Sequence, residues 1–169
     1  MYRRIVLISS LFLLFSLYGK SQSVTDQQKK LAERLLRSVY GGQPSGIDEL
    51  ISDNIVSSYP IFEQIFKTKA IRGREAFKNF ANHFSKKWKD PEITIHERIG
   101  ENNKVVFIWS FSATMMNDDG NGNTIPGESF SWGGFTYYEF DESNKINLEI
   151  GEESTPGPFS RLKVADSAE

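Results

Sequence analysis

Ile71-Arg72-Gly73-Arg74-Glu75-Ala76-Phe77-Lys78-Asn79-Phe80 and, further down the chain, Ser129-Phe130-Ser131-Trp132-Gly133-Gly134-Phe135-Thr136-Tyr137-Tyr138-Glu139-Phe140 decide the fold between them. The first stretch starts a helix. Phe77, Phe80, Ala81, Phe84 and Trp88 recur at the spacing of one helical face, and Asp90-Pro91 reads as its end. The second is rich in aromatic residues and reads as a long strand, with a bulge expected at Gly133-Gly134. Rings on a helix and rings on a strand both need cover. A helix laid over a curved sheet provides it and encloses a pocket.

Working outward, Thr25-Asp26-Gln27-Gln28 fits a capping box. Leu31, Ala32, Leu35, Leu36 and Val39 then share one helical face, and Gly41-Gly42 stops that helix. A short helix is expected from Ile47 to Ser52, then a brief strand from Ile55 to Tyr59 closed by Pro60. Residues 61–71 fit a helical turn or a loop equally well. Lys86-Lys87-Trp88-Lys89 reads as the solvated C-terminal end of the third helix.

Downstream the period becomes two. Ile93, Ile95 and Ile99 alternate with Thr94, His96 and Arg98, which would leave His96 facing outward. Asn102-Asn103 suits a hairpin turn, and Val105 to Met115 a strand with Phe107, Trp109 and Phe111 on one face. Asp141 to Asn144 turns the chain back into Ile146 to Glu152. Helices first and an antiparallel meander later predict an α+β fold, a cone with N-terminal helices packed on a curved antiparallel sheet. One domain is expected over residues 24–155, with a flexible tail over 156–169.

Residues 1–23 stand apart. Arg3 and Arg4, the apolar run Ile5 to Tyr18 and the small residues of Ser21-Gln22-Ser23 have the layout of a signal peptide. The apolar run is too short for a spanning helix of ~20 residues, so the expectation is export to the periplasm or beyond, with no stable membrane anchor after cleavage. The chain has no Cys, which excludes a disulfide framework and thiol chemistry. Removing residues 1–23 takes Arg3, Arg4 and Lys20 from 20 basic residues and none from 22 acidic ones, leaving a net charge of −5. A mildly acidic chain with one small basic cluster is a poor partner for nucleic acid.

Asp48-Glu49-Leu50-Ile51-Ser52-Asp53-Asn54-Ile55-Val56 before Tyr59-Pro60, Gly73 to Phe77, Val105 to Ser110, and Trp132 to Phe140 followed by Lys145-Ile146-Asn147-Leu148-Glu149 occur in an order and spacing that resemble the NTF2-like superfamily, in its SnoaL-like (polyketide cyclase-like) branch. The resemblance spans roughly residues 27–153. It implies a cone-shaped pocket, frequent homodimers through the sheet, and functions from cyclases, isomerases and dehydratases to non-catalytic binding domains, so the fold alone does not settle the activity. Ketosteroid isomerases carry a general-base Asp just before the Pro of the first strand, and here that position is Tyr59. Their oxyanion-hole positions fall near Leu35 and at Thr136, so the isomerase set is missing. SnoaL-type cyclases use a carboxylate near the last strand, the region of Glu149 and Glu152.

The candidate catalytic groups are accordingly Glu149 and His83. A carboxylate pushed into aromatic surroundings has a raised pKa and can shuttle protons. His83 borders the Phe stripe, where a base could reach the pocket. Tyr59, Phe80, Trp109, Trp132, Phe135, Tyr137 and Glu152 are the candidate ligand-binding residues, since such pockets are mostly apolar with a few placed polar groups. Period two puts Glu149 and Glu153 on one face of their strand and Glu152 on the other with Leu148 and Ile150.

Asn117 to Glu128 nearly follows an EF-hand calcium loop, but it starts with Asn, contains Pro126 and lies between strands, so a plain connection is the reading adopted. Two His and no Cys give no zinc pattern, and no phosphate loop is present. The expected protein uses no metal and no cofactor. It binds a small, largely apolar molecule, with scope for acid/base chemistry. The alternative is a non-catalytic interaction module that forms a homodimer or partner complex through its sheet face.

Overall fold

The structure, a computed structural model, describes residues 25–116, 126–155 and 157–158. The signal-peptide reading of residues 1–23, residues 117–125 of the loop with the calcium reading, and most of the tail fall outside the described residues. No helix among the described residues is long and apolar enough to cross a membrane.

Helix α1 covers residues 25–40 and buries Ala32, Leu35, Leu36, Val39 and Tyr40. The Gln28 half of the expected capping box is not made among the described residues. Thr25 is already helical and Gln28 Oε1, buried, has no hydrogen-bond partner. Gly42 takes a left-handed φ of 74° directly after the helix. Helix α2 is Ile47–Leu50, strand β1 Ile51–Ser58, helix α3 Pro60–Phe66, strand β2 Ile71–Arg72 and helix α4 Arg74–Ser85. The rest is strand: β3 Trp88–Glu101, β4 Lys104–Met115, β5 Ser129–Phe140 and β6 Ile146–Ser154.

The ambiguous stretch after Tyr59 is thus a helix, started by Pro60, which lacks an N–H that a first turn would leave unpaired. Two expectations about α4 need correction. It ends at Ser85, and Trp88 of the supposed stripe opens β3 instead. Pro91 sits inside β3, where the register slips between Lys89 and Glu92 and Asp90 takes a φ of 50°. This is an edge strand, the setting in which a sheet tolerates a residue without an N–H.

The six strands run β2-β1-β6-β5-β4-β3. The meander β3 to β6 is antiparallel as expected, but the sheet as a whole is mixed, because β1 lies parallel to β6. That pairing joins the two ends of the domain and places β6 in the sheet interior. Val105, Phe107, Trp109, Phe111, Ala113 and Met115 of β4 and Thr136, Tyr138 and Phe140 of β5 form the inner face, covered by α1 and α4.

A second slip in β3, between Ile95 and Glu97, breaks the alternation read from the sequence. Beyond it Arg98 reaches Glu33 of α1 and Ile99 is exposed. No slip occurs at Gly133-Gly134: β5 pairs with β4 in unbroken register from Ser129 to Glu139. The missing bulge decides which aromatic residues see the pocket.

Candidate functional site

With β5 in unbroken register, Trp132, Thr136 and Tyr138 point inward while Phe135 and Tyr137 point outward. On β6, Glu149, Gly151 and Glu153 share the inner face, and Glu152, opposite Phe135, is exposed on the outer one. The expectation that Phe135, Tyr137 and Glu152 line the pocket is therefore corrected. Phe135 is 38% exposed, and Tyr137 Oη donates to Glu139 on the outer face.

A cavity of about 460 Å³ opens between α3, α4, the end of α1 and the inner faces of β5 and β6. Its walls are rings. Phe62 and Phe66 of α3 meet Phe80 of α4 with centroids 5.1 and 6.0 Å apart. Trp88 and Trp132 close the opposite side at 5.4 Å. Of the sequence candidates, Tyr59, Phe80, His83, Trp132 and Glu149 line this space. His83 is the exposed member of this set, whereas Glu149 is buried. Trp109 lies beneath the floor, fully buried, as a support.

The floor is acidic. Glu149 is 4% exposed, and Ser57 Oγ of β1 donates to its Oε2 at 2.5 Å. Burial pushes its pKa up to about 7, against the opposing effect of hydroxyl donation from Ser57, Tyr138 and Tyr59, while neighbouring Glu153 adds to the rise. Tyr138 Oη itself is buried without a well-aligned hydrogen-bond partner. Glu153 accepts a hydrogen bond from Tyr40 Oη, and burial raises its pKa as well. Tyr40, Tyr59 and Tyr138 have their phenol pKa values driven well above 10, first by burial and then by these carboxylates, so they remain donors at neutral pH.

A second layer fixes the first. Trp109 Nε1 donates to Thr136 Oγ1 at 2.9 Å, and Thr136 Oγ1 lies 3.0 Å from Tyr59 Oη. Gly151 makes room for Tyr59: a Cβ there would come within 1.9 Å of the ring. The arrangement can therefore hold a proton on a dry carboxyl at neutral pH, beside fixed hydroxyl donors and under an apolar roof. No group of three or more His, Asp or Glu suited to a metal occurs among the described residues.

Glu153, Tyr40 and Ser57, which act at the floor, were not on the candidate list. Glu153 shares the strand face of Glu149, so period two already carried its signal. Tyr40 follows Leu36 by one turn on the apolar face of α1, a hydroxyl aimed at the core. Ser57 carried no signal, because its partner is 92 residues away.

The SnoaL-like domain model matches residues 32–148. The chain belongs to the SnoaL-like family. Its fold is shared with a Jannaschia sp. CCS1 protein proposed to be a SnoaL-like polyketide cyclase, at 15% identity and a TM-score of 0.62 over 78% of this chain and 88% of that one. An Acidithiobacillus ferrooxidans protein proposed to be a polyketide cyclase superposes with a TM-score of 0.63 at 20% identity, covering 82% and 95% of the two chains. An epoxide hydrolase from M. tuberculosis, related to the LEH type, gives 0.58 at 14% identity over 80% and 89%. At these identities the likeness concerns the SnoaL-like fold and not the reaction. No curated protein matches the sequence.

Proposed function

We propose that this SnoaL-like protein binds a small, largely apolar molecule in the ring-lined cavity and moves a proton on it without a cofactor, with Glu149 as the acid/base. One observation carries the reading: a carboxyl 4% exposed at the floor of an apolar cavity, with a pKa pushed up to about 7. Such a group takes a proton from a weakly acidic C–H and returns it at another carbon, because neither of its protonation states is strongly favoured near neutral pH. Tyr59 and Ser57 hold the carboxyl in place, and the aromatic walls keep water away. His83 lines the same cavity but is exposed, so the reading gives the acid/base role to the buried Glu149.

A general carbon acid such as β-tetralone in D2O tests it by mass spectrometry. The protein should speed deuterium uptake, and Glu149→Gln should remove that acceleration while the ketone still binds. Equal exchange by the two proteins would rule Glu149 out as the base.

The sheet's outer face favours a second role alongside the first. Ile99, Phe135 and Ile150 are 56%, 38% and 43% exposed there. Phe135 pairs across strands with Ile108, and Ile150 with Tyr137, so the apolar surface is continuous over β4, β5 and β6. The reading is a homodimer through this face, with export directed by residues 1–23. A mature N-terminus near residue 24, read by mass spectrometry after expression in a secreting host, tests the export.

A further inference from the structure

The mouth of the cavity is charged opposite to its floor. Lys87, half-buried, and His83, exposed, stand at the entrance, while Glu149 and Glu153 lie below. Neither basic side chain has a hydrogen bond or ion pair among the described residues, whereas Lys29, Lys78 and Arg74 all have carboxylate partners. Lys87 is held from behind. Its N–H donates to Phe84 O at 3.1 Å, and its carbonyl accepts from Met116 N at 2.8 Å. The backbone is thus fixed at the entrance, and the side chain, which lines the cavity, can lay its stem on the apolar wall with its ammonium toward water. Across the opening α3 presents Ile61, Ile65 and Phe66, 36%, 52% and 40% exposed.

We propose that the ligand of this cavity is an amphiphile, with an apolar body inside and across α3 and an anionic head group held at the mouth by Lys87, assisted by His83. This rests on the ligand-pocket reading above and names the class of molecule it takes. Two carboxyl groups on the floor disfavour an anion entering head first, since it would meet repulsion whenever either is ionised. An ammonium with no partner among the described residues receives that head group at the entrance when the body lies inward. The His83 ring donates a hydrogen bond in either protonation state. A wholly apolar ligand would leave both groups idle, and a cationic one would meet repulsion at the mouth.

Displacement of the uncharged dye N-phenylnaphthylamine from the full mature chain tests this with four probes of equal chain length: decanoate, decyl phosphate, decanol and decyltrimethylammonium. At least one anionic probe should bind about tenfold more tightly than decanol, and the cation most weakly. Lys87→Met keeps the stem and removes the charge, so it should bring the anions to the level of decanol and leave decanol within about twofold. Lys87→Arg should restore the preference. Whichever anion loses more in Lys87→Met identifies the head group as carboxylate or phosphate. Unchanged dye affinity in both variants shows the cavity intact. Equal binding of anions and decanol, or an equal loss for all probes in Lys87→Met, overturns the inference and leaves the pocket reading standing. Failure of every probe and of the dye to bind overturns both.

Discussion

Ser57 and Glu149 are register partners across the parallel pairing of β1 and β6, and the serine hydroxyl donates to the carboxylate at 2.5 Å. The bond favours the ionised form of an acid that burial pushes toward the neutral one. Ser57→Ala removes that donor and should raise the Glu149 pKa further above about 7. The acid limb of the deuterium-exchange profile should move to higher pH, with the maximal rate less affected. A limb that stays in place would show that Ser57 does not tune the acid.

Stability should depend on pH through the same group. The folded Glu149 holds its proton up to about 7, and the unfolded one loses it near 4.5. Between those values the native state binds more protons, so stability falls as pH rises through the window, by up to ~3 kcal/mol, and levels off above it. Glu149→Gln has no such charge to bury. It should melt above the wild type at pH 8, with the difference shrinking toward pH 4.5. Parallel melting curves at both pH values would show the carboxyl to be better solvated than its burial implies.

Gly151→Ala should displace Tyr59. The new methyl would lie 1.9 Å from the ring's Cε1, and Tyr59 is itself packed on Phe62 with centroids 5.3 Å apart. Overpacking of this kind costs about 1–3 kcal/mol. Denaturant unfolding should show that loss together with weaker dye binding, because Tyr59 lines the cavity. Tyr59→Phe keeps the ring but drops its contact with Thr136 Oγ1, and should cost about 1 kcal/mol with the cavity preserved.

Phe135→Lys places a charge in the middle of the outer apolar face. Sedimentation should find the wild type as a dimer at tens of micromolar and the variant as a monomer, with the melting of the monomer unit little changed because Phe135 is already 38% exposed. A wild type that sediments as a monomer would remove the sheet-face dimer.

How far the chain explains itself is clear from particular residues. The faces of α1 and β4, the turn at Asn102-Asn103 and the same-side placement of Glu149 and Glu153 all follow from local periodicity, because neighbours in sequence set them. Glu152 was separable from that pair by the same rule. Phe135 and Tyr137 were candidates by residue type, and their outward side follows from the unbroken register of β5 against β4, which depends on the partner strand as much as on β5 itself. Trp88 continues a helical stripe on paper. In the structure α4 ends three residues earlier, and the edge strand takes the ring.

By itself the sequence determined the α+β class and the aromatic character of the interior, since these rest on periods of a few residues and on composition, while the order of its motifs carried the resemblance to the family. Only the tertiary structure decided that β6 enters the sheet beside β1, that Ser57 meets Glu149 across 92 residues and that Tyr40 meets Glu153 across 113. Those meetings depend on closure of long loops and on strand register, which local spacing does not encode. The chemistry of the floor exists only once they have formed, because burial and a fixed donor make an ordinary glutamate an acid that titrates near neutrality.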